Sequence, residues 1–168
     1  SKHFTKIIEL NEDASWVRVQ PGVIRDELNL FLHPHGLYFG PETSTANRAM
    51  IGGMAGNNSC GSNSVIYRST REHLLEVTAF LSDGSEVVFK ALSLDDFHAK
   101  CELTTLEGAI YKSMRSMLSN YDNQIEIKKE FPKKSVERRN TGYAIDLLVD
   151  MAPFSAGGDD FNFCALIA

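Results

Sequence analysis

Residues 6–10 and 15–20 are apolar or alternate apolar with polar side chains on either side of Asn11, Glu12 and Asp13, the pattern of a β-hairpin. Pro21-Gly22 breaks the second strand. Ile24, Leu28, Phe31 and Leu32 then recur at helical spacing, and Gly36 ends that helix. Residues 73–81 and 86–89 flank Asp83-Gly84, a strong signal for a second hairpin. Leu106, Ile110, Met114, Met117, Leu118 and Tyr121 make one helical stripe whose methionines read as core filling. Asp122 is placed to cap a further helix through Phe131, stopped by Pro132. Residues 143–149 predict a short helix, 153–160 a loop, and 161–168 a final strand. Hairpins with helices between them predict an α+β fold, an antiparallel-rich sheet with helices packed against it.

Residues 50–67 fit neither period. They read Met-Ile-Gly-Gly-Met-Ala-Gly-Asn-Asn-Ser-Cys-Gly-Ser-Asn-Ser-Val-Ile-Tyr, with Gly52, Gly53, Gly56 and Gly61 among small polar side chains. Such glycines let the backbone take positive φ and bring its N–H groups close to a ligand. Successive N–H groups in turns form anion sites, so a phosphate or pyrophosphate suits them. Asn57, Asn58, Ser59, Ser62 and Asn63 add neutral donors and acceptors. The dinucleotide fingerprint does not fit, because Ile51 stands at its first glycine. A Walker A loop does not fit either, because Ser62 and Asn63 replace its Lys and Ser/Thr. A glycine-rich surface loop that binds nothing is the bland alternative.

A second motif precedes this cradle. Leu37-Tyr38-Phe39 leads into Gly40-Pro41-Glu42-Thr43-Ser44-Thr45, where Pro41 fixes a turn. Ser44 or Thr45 is suited to cap a short helix over residues 46–53 while offering hydroxyls to a ligand. Two loops in tandem are thus expected to face one ligand.

Together with Val17-Arg18-Val19-Gln20-Pro21-Gly22-Val23 and a later block, Arg139-Asn140-Thr141-Gly142-Tyr143-Ala144, this order of motifs resembles the FAD-binding (PCMH-type) domain of the vanillyl-alcohol-oxidase flavoprotein superfamily. The branch it resembles is that of D-lactate dehydrogenase and glycolate oxidase subunits. The resemblance implies that Pro41, Glu42, Thr43, Ser44 and Thr45 run along the isoalloxazine and ribityl chain of FAD. It likewise places Gly52, Gly53, Asn57, Asn58, Ser59, Cys60 and Gly61 against the pyrophosphate and the flavin ring, with residues 140–143 near the flavin site. One position departs from the family, which has glycine after Tyr67 where this chain has Arg68. If a positive φ is needed there, Arg68 strains the turn.

The resemblance further implies the second subdomain of an FAD-binding domain. Residues 1–168 are read as a single domain and a fragment of it, with the upstream Gly-rich subdomain and the downstream cap domain absent. The expected function of the parent is oxidation of a small 2-hydroxy acid, D-lactate or glycolate in class, by hydride transfer to flavin, with an unspecified electron acceptor. The fragment alone is expected to be inactive. The alternatives are the same fold acting on another substrate, and an interaction module that has lost flavin. No catalytic residue is assigned; Arg18, Arg139 and His73 read as strand-face or loop residues.

Composition adds exclusions. A chain of 168 residues with 43% hydrophobic content buries about two thirds of its unfolded surface. Its net charge of −5 argues against nucleic acid. The basic run Lys128, Lys129, Lys133, Lys134, Arg138 and Arg139 is interleaved with Glu126, Glu130 and Glu137, as in a solvated helix face and loop. No apolar run suggests a transmembrane segment. Three cysteines (Cys60, Cys101 and Cys164) without CxxC spacing fit a reducing, cytoplasmic setting and disfavour structural zinc. A Cys60 nucleophile based on His33 or His35 requires a spatial pairing, against which stands a small thiol beside the cofactor. His33-Pro34-His35 reads as a helix C-terminal cap rather than a metal pair.

Overall fold

The computed structural model describes residues 3–133, 135–136 and 142–166. They group into two compact units, Ser1–His73 and Leu74–Ala168.

The first unit opens with β1 (Ile7–Asn11) and β2 (Trp16–Val19), antiparallel, with Ile7 opposite Val19 and Asn11 opposite Trp16. Helix α1 (Arg25–Leu32) follows, extended by a 3-10 turn at His33–His35. Gly36 ends it at φ 68°, donating its N–H to the His33 carbonyl, as the sequence indicates. Helices α2 (Ile51–Gly56) and α3 (Ser64–Tyr67) and a 3-10 turn at Thr70–His73 complete the unit. Val23, Leu28, Leu32, Ile51 and Met54 form its core, with Leu10, Val17 and Phe39 packed against them. Ile51 and Met54 lie three apart, so one face of α2 is anchored and the opposite face is free for other work.

The helix expected over residues 46–53 lies later in the chain. Residues 44–48 are a turn in which the Thr45 carbonyl accepts from the N–H groups of Arg48 and Ala49. Neither Ser44 nor Thr45 caps α2; Met50 holds that place in extended conformation, without a side-chain bond. The cause is tertiary. Met50 forms a bridge with Ile24, and Ile51 donates to the Val23 carbonyl, so the chain is pinned there before the helix can begin.

In the second unit β3 (Glu76–Phe80) and β4 (Glu86–Lys90) form the expected hairpin, with Gly84 at φ 83°. Helix α4 (Leu94–Glu102), which the apolar pattern does not announce, starts at a reciprocal cap: Ser93 Oγ accepts from the Asp96 N–H and donates to Asp96 Oδ2. In α5 (Leu106–Leu118) the buried face carries Gly108, Tyr111 and Leu118, whereas Met117 and Tyr121 are exposed. Ile110, Met114 and Leu118 of the expected stripe face the core, Met114 as core filling, whereas Met117 and Tyr121 do not. Asn120, not Asp122, caps α6 (Tyr121–Glu130), accepting from the N–H groups of Asp122 and Asn123. Helix α7 (Ile145–Val149) falls within the predicted span.

The strand expected over 161–168 does not form. Phe161 makes a single bridge with Leu92, and Phe163–Leu166 is a 3-10 turn. Asn162 Oδ1 accepts from the Cys164 N–H at 2.9 Å, a local bond that competes with a ladder. Residues 167 and 168 lie outside the described residues. Phe97, Tyr111, Phe161 and Phe163 fill the core, with ring centroids 4.7 Å apart for Phe97–Phe161 and 4.8 Å for Tyr111–Phe163. The fold is α+β, its described strands paired antiparallel as two hairpins, one per unit, each with helices packed against it.

Candidate functional site

The first loop hangs from a buried arginine. Arg25 opens α1 yet is 5% exposed. Its Nε donates to the Pro41 carbonyl at 3.1 Å, and Nη2 donates to the Phe39 carbonyl at 3.4 Å and to the Tyr38 hydroxyl. Nη1 pairs with Asp26 at 3.0 Å, and the guanidinium carbon lies 5.1 Å from the Tyr38 ring centroid. Burial acts to lower the Arg25 pKa, but donation to Asp26 and Tyr38 outweighs it, so the group is held above the ordinary guanidinium value. One helical turn on, Asn29 grips the same segment. Its Nδ2 donates to the Phe39 carbonyl at 3.2 Å, and its Oδ1 accepts from the Phe39 N–H at 2.8 Å. Tyr38 and Phe39 are therefore paired with side chains of α1, and the buried Pro41 gives residues 42–45 a fixed point of departure.

The second loop is tied from behind. Asn58 is buried at φ 44°, and its Oδ1 accepts from the Arg71 N–H at 2.9 Å. The Ser59 carbonyl accepts from the Thr70 N–H at 3.0 Å and the Thr70 hydroxyl at 2.7 Å. Asn57 Nδ2 donates to Ser59 Oγ at 3.1 Å on the outer side.

The two loops touch. A Cβ on Gly61 would stand 2.2 Å from the Glu42 carbonyl oxygen, so only glycine permits that approach. Asn63 Nδ2 donates to Glu42 Oε2 at 2.7 Å across the same seam. At the base, a Cβ on Gly40 would stand 2.6 Å from the Tyr67 ring, which lies 5.8 Å from that of Tyr38.

The glycines thus work differently from the expectation. None of Gly52, Gly53, Gly56 and Gly61 has positive φ; in this unit that conformation falls to Ser15, Gly36, Asn58 and Arg68. Gly52 is needed because a Cβ would meet Pro21 at 2.5 Å. Gly53 and Gly56, on the outer face of α2, have no heavy atom within 4 Å of a built Cβ. That face is bare backbone, open to close approach. Arg68 sits at φ 57°, ψ −144°, a region kept almost entirely for glycine, as the departure at this position implied.

The rim formed by the two loops is rich in neutral donors. Among the described residues, no acceptor meets the backbone N–H groups of Thr43, Ser44, Thr45, Cys60, Gly61 or Ser62. The hydroxyls of Thr43 and Thr45 lie 3.3 Å apart beside them. The Glu42 carboxylate, the one acidic group of the first loop, is turned onto Asn63. Free N–H groups, hydroxyls and bare glycine backbone suit an anionic, polyhydroxylated ligand. Among the described residues no group of three His, Cys, Asp or Glu side chains is placed to hold a metal ion.

The other sequence candidates lie apart. Cys60 is half-buried and free, and no described hydrogen bond joins it to a histidine. His35 Nδ1 faces Glu12 at 2.8 Å. His73 Nε2 meets the Tyr67 carbonyl at 2.8 Å and fixes the exit of the second loop. Of the block at 139–144, residues 139–141 lie outside the described residues, as do Lys134 and Arg138 of the basic run; Tyr143 is exposed. Lys129 of that run is paired with Glu126 and Glu130, a solvated face. Sequence reasoning missed Arg25 and Asn29. Their signal is a polar i,i+4 pair, each three residues before a buried leucine, Leu28 and Leu32.

The FAD binding domain family matches residues 1–90. D-2-hydroxyglutarate dehydrogenase of Pseudomonas putida is 38% identical over 152 residues, 89% of this chain and 14% of that protein. The protein of the same name from Haemophilus influenzae is 38% identical over 168 residues, 99% of this chain and 16% of its own. Mitochondrial D-lactate dehydrogenase [cytochrome] of Kluyveromyces lactis is 38% identical over 90 residues, 54% of this chain and 15% of its own. The chain thus spans about a seventh of the length of these relatives. No solved structure matches. No helix among the described residues is long and apolar enough to cross a membrane. The family match takes in more than half of the 168 residues and the whole of both loops, and the chain belongs to the FAD binding domain family.

Proposed function

We propose that the two touching loops hold FAD and that the full-length protein uses it to oxidise a 2-hydroxy acid. Pro41, Glu42, Thr43, Ser44 and Thr45 line the isoalloxazine and ribityl side. Gly52, Gly53, Asn57, Asn58, Ser59, Cys60 and Gly61 serve the pyrophosphate and the ring. Within each group the roles divide. Hydroxyls and amides come from Thr43, Ser44, Thr45, Asn57 and Ser59, and backbone N–H groups from Cys60 and Gly61. Bare surface comes from Gly53, and framework from Pro41, Gly52 and Asn58. The observation that carries this reading is the contact of Gly61 with the Glu42 carbonyl, which joins the loops into one donor-lined rim.

FAD, when bound, supplies the hydride-accepting chemistry; this chain's residues bind and orient it. The rest of the pyrophosphate grip, the substrate pocket and the catalytic groups are assigned to other parts of the protein, of which this chain forms a portion of the FAD-binding domain. Relatives named D-2-hydroxyglutarate dehydrogenase match 89% and 99% of the chain, and the one named D-lactate dehydrogenase 54%. A 2-hydroxyglutarate-class substrate is therefore favoured over lactate or glycolate.

The test is anaerobic bleaching of the full-length flavoprotein. Addition of D-2-hydroxyglutarate should remove the flavin absorbance near 450 nm (roughly the ordinary oxidised band) faster than D-lactate or glycolate. Bleaching by none of the three sinks the 2-hydroxy-acid assignment; a purified protein without flavin that takes up none sinks the cofactor assignment.

A further inference from the structure

We infer that Arg25 is a positioning residue for FAD: from the buried start of α1 it sets the separation of the two cofactor loops. This rests on the reading of those loops as the FAD site.

The geometry runs in one line. Arg25 Nε holds the Pro41 carbonyl at 3.1 Å, and the next carbonyl along, that of Glu42, is the atom against which Gly61 closes. The other arm of the guanidinium holds the Tyr38 hydroxyl and the Phe39 carbonyl, so residues 38–41 are fixed at three points by one planar group. Tyr38 in turn packs at a tilt against Tyr67, at the far end of the second loop. Arg25 thus acts at both ends of the seam, through Pro41 and Glu42 at one and through Tyr38 and Tyr67 at the other. Nothing but a guanidinium meets all three acceptors. A lysine, a compact point charge without the planar fork, held on the Pro41 carbonyl lets go of the Tyr38 hydroxyl and leaves the Phe39 carbonyl to Asn29 alone. The α1 backbone does not need this side chain, since the Arg25 N–H bonds the Ala49 carbonyl and Leu28 bonds back to Ile24. Burying a cation there has a cost that packing alone does not repay, and its partners are the loop that faces the cofactor.

The experiment compares Arg25→Lys, Tyr38→Phe and Gly61→Ala with wild type in the full-length protein. It reads FAD dissociation constants by flavin fluorescence on refolded or deflavinated protein, and the visible circular dichroism of bound flavin. Arg25→Lys should weaken FAD about tenfold or more and alter the flavin dichroism at saturating FAD, with Tyr38→Phe shifting both in the same sense but less. Gly61→Ala, which forces the loops apart directly, should weaken FAD at least as much. Loss with Gly61→Ala but wild-type affinity and dichroism in Arg25→Lys overturns the inference and leaves the FAD site standing. Wild-type affinity in both overturns the site as well. Loss with Arg25→Lys but none with Gly61→Ala overturns the route through Glu42. A lower unfolding midpoint for Arg25→Lys with unchanged dichroism at saturation marks a purely structural residue and also overturns the inference. If Arg25→Lys does not fold, Tyr38→Phe decides: unchanged FAD binding refutes the role, and weakened binding with altered dichroism supports it.

Discussion

Replacing Arg68 by glycine is expected to stabilise the protein. Arg68 follows α3 at φ 57° and ψ −144°, with its N–H donating to the Ser64 carbonyl at 2.8 Å. A residue with a Cβ held in this region carries roughly 1–3 kcal/mol of strain. Glycine removes that strain but loses about 0.4–1 kcal/mol through the greater freedom of the unfolded chain. The side chain is exposed and, among the described residues, makes no hydrogen bond or ion pair, so little else is forfeited. At mid-range values the net gain is about 1.3 kcal/mol, or roughly 3–5 °C in Tm for a chain of this size. Urea unfolding should show a raised midpoint with an unchanged slope. Arg68→Ala is the control. It removes the charge and the long stem but keeps the Cβ, and its stability should lie within about 0.5 kcal/mol of wild type. Equal stabilisation by Ala and Gly would place the effect in the side chain, and no gain from Gly would refute the strain argument.

Three further outcomes concern Tyr111 and the cysteines. The Tyr111 hydroxyl is fully buried with no partner among the described residues, so Tyr111→Phe should raise stability by about 1 kcal/mol; a loss of that size would reveal a bond the structure lacks. Burial pushes the Cys164 thiol up to about 11 from an ordinary 9.0, so the fold favours its protonated form. The stability this contributes is complete below pH 9 and is lost as pH rises through 11. Unfolding measured across that window should steepen less with pH in Cys164→Ala than in wild type. At pH 8 (roughly one unit below the ordinary thiol pKa) iodoacetamide should label Cys60 before Cys164.

Much of this was legible in the sequence, and the misses share a cause. Hairpins around Asn11–Asp13 and Asp83-Gly84, and the helix ended by Gly36, rest on local turn and cap chemistry, and local chemistry is what a sequence displays. The cap Ser93–Asp96 is equally local; α4 was missed because Phe97 and Cys101 alone make too short a stripe. The start of α2 is not legible in the sequence because Met50 and Ile51 are fixed by Ile24 and Val23, a contact that periodicity does not contain. The same holds for the site. The glycines were visible and their purpose was not, because close approach to Pro21 and Glu42 is known only once the chain is folded. Arg25 escapes the sequence pattern for the same reason: its acceptors in the loop lie 13 to 16 residues away.

The most direct test of FAD binding by the two loops is a crystal structure of the full-length protein with FAD. FAD oxygen or nitrogen atoms should lie within about 3.2 Å of backbone N–H groups in residues 43–45 and 60–62, with Gly61 still closed on Glu42. A cofactor seated elsewhere, with both loops facing solvent, would contradict it.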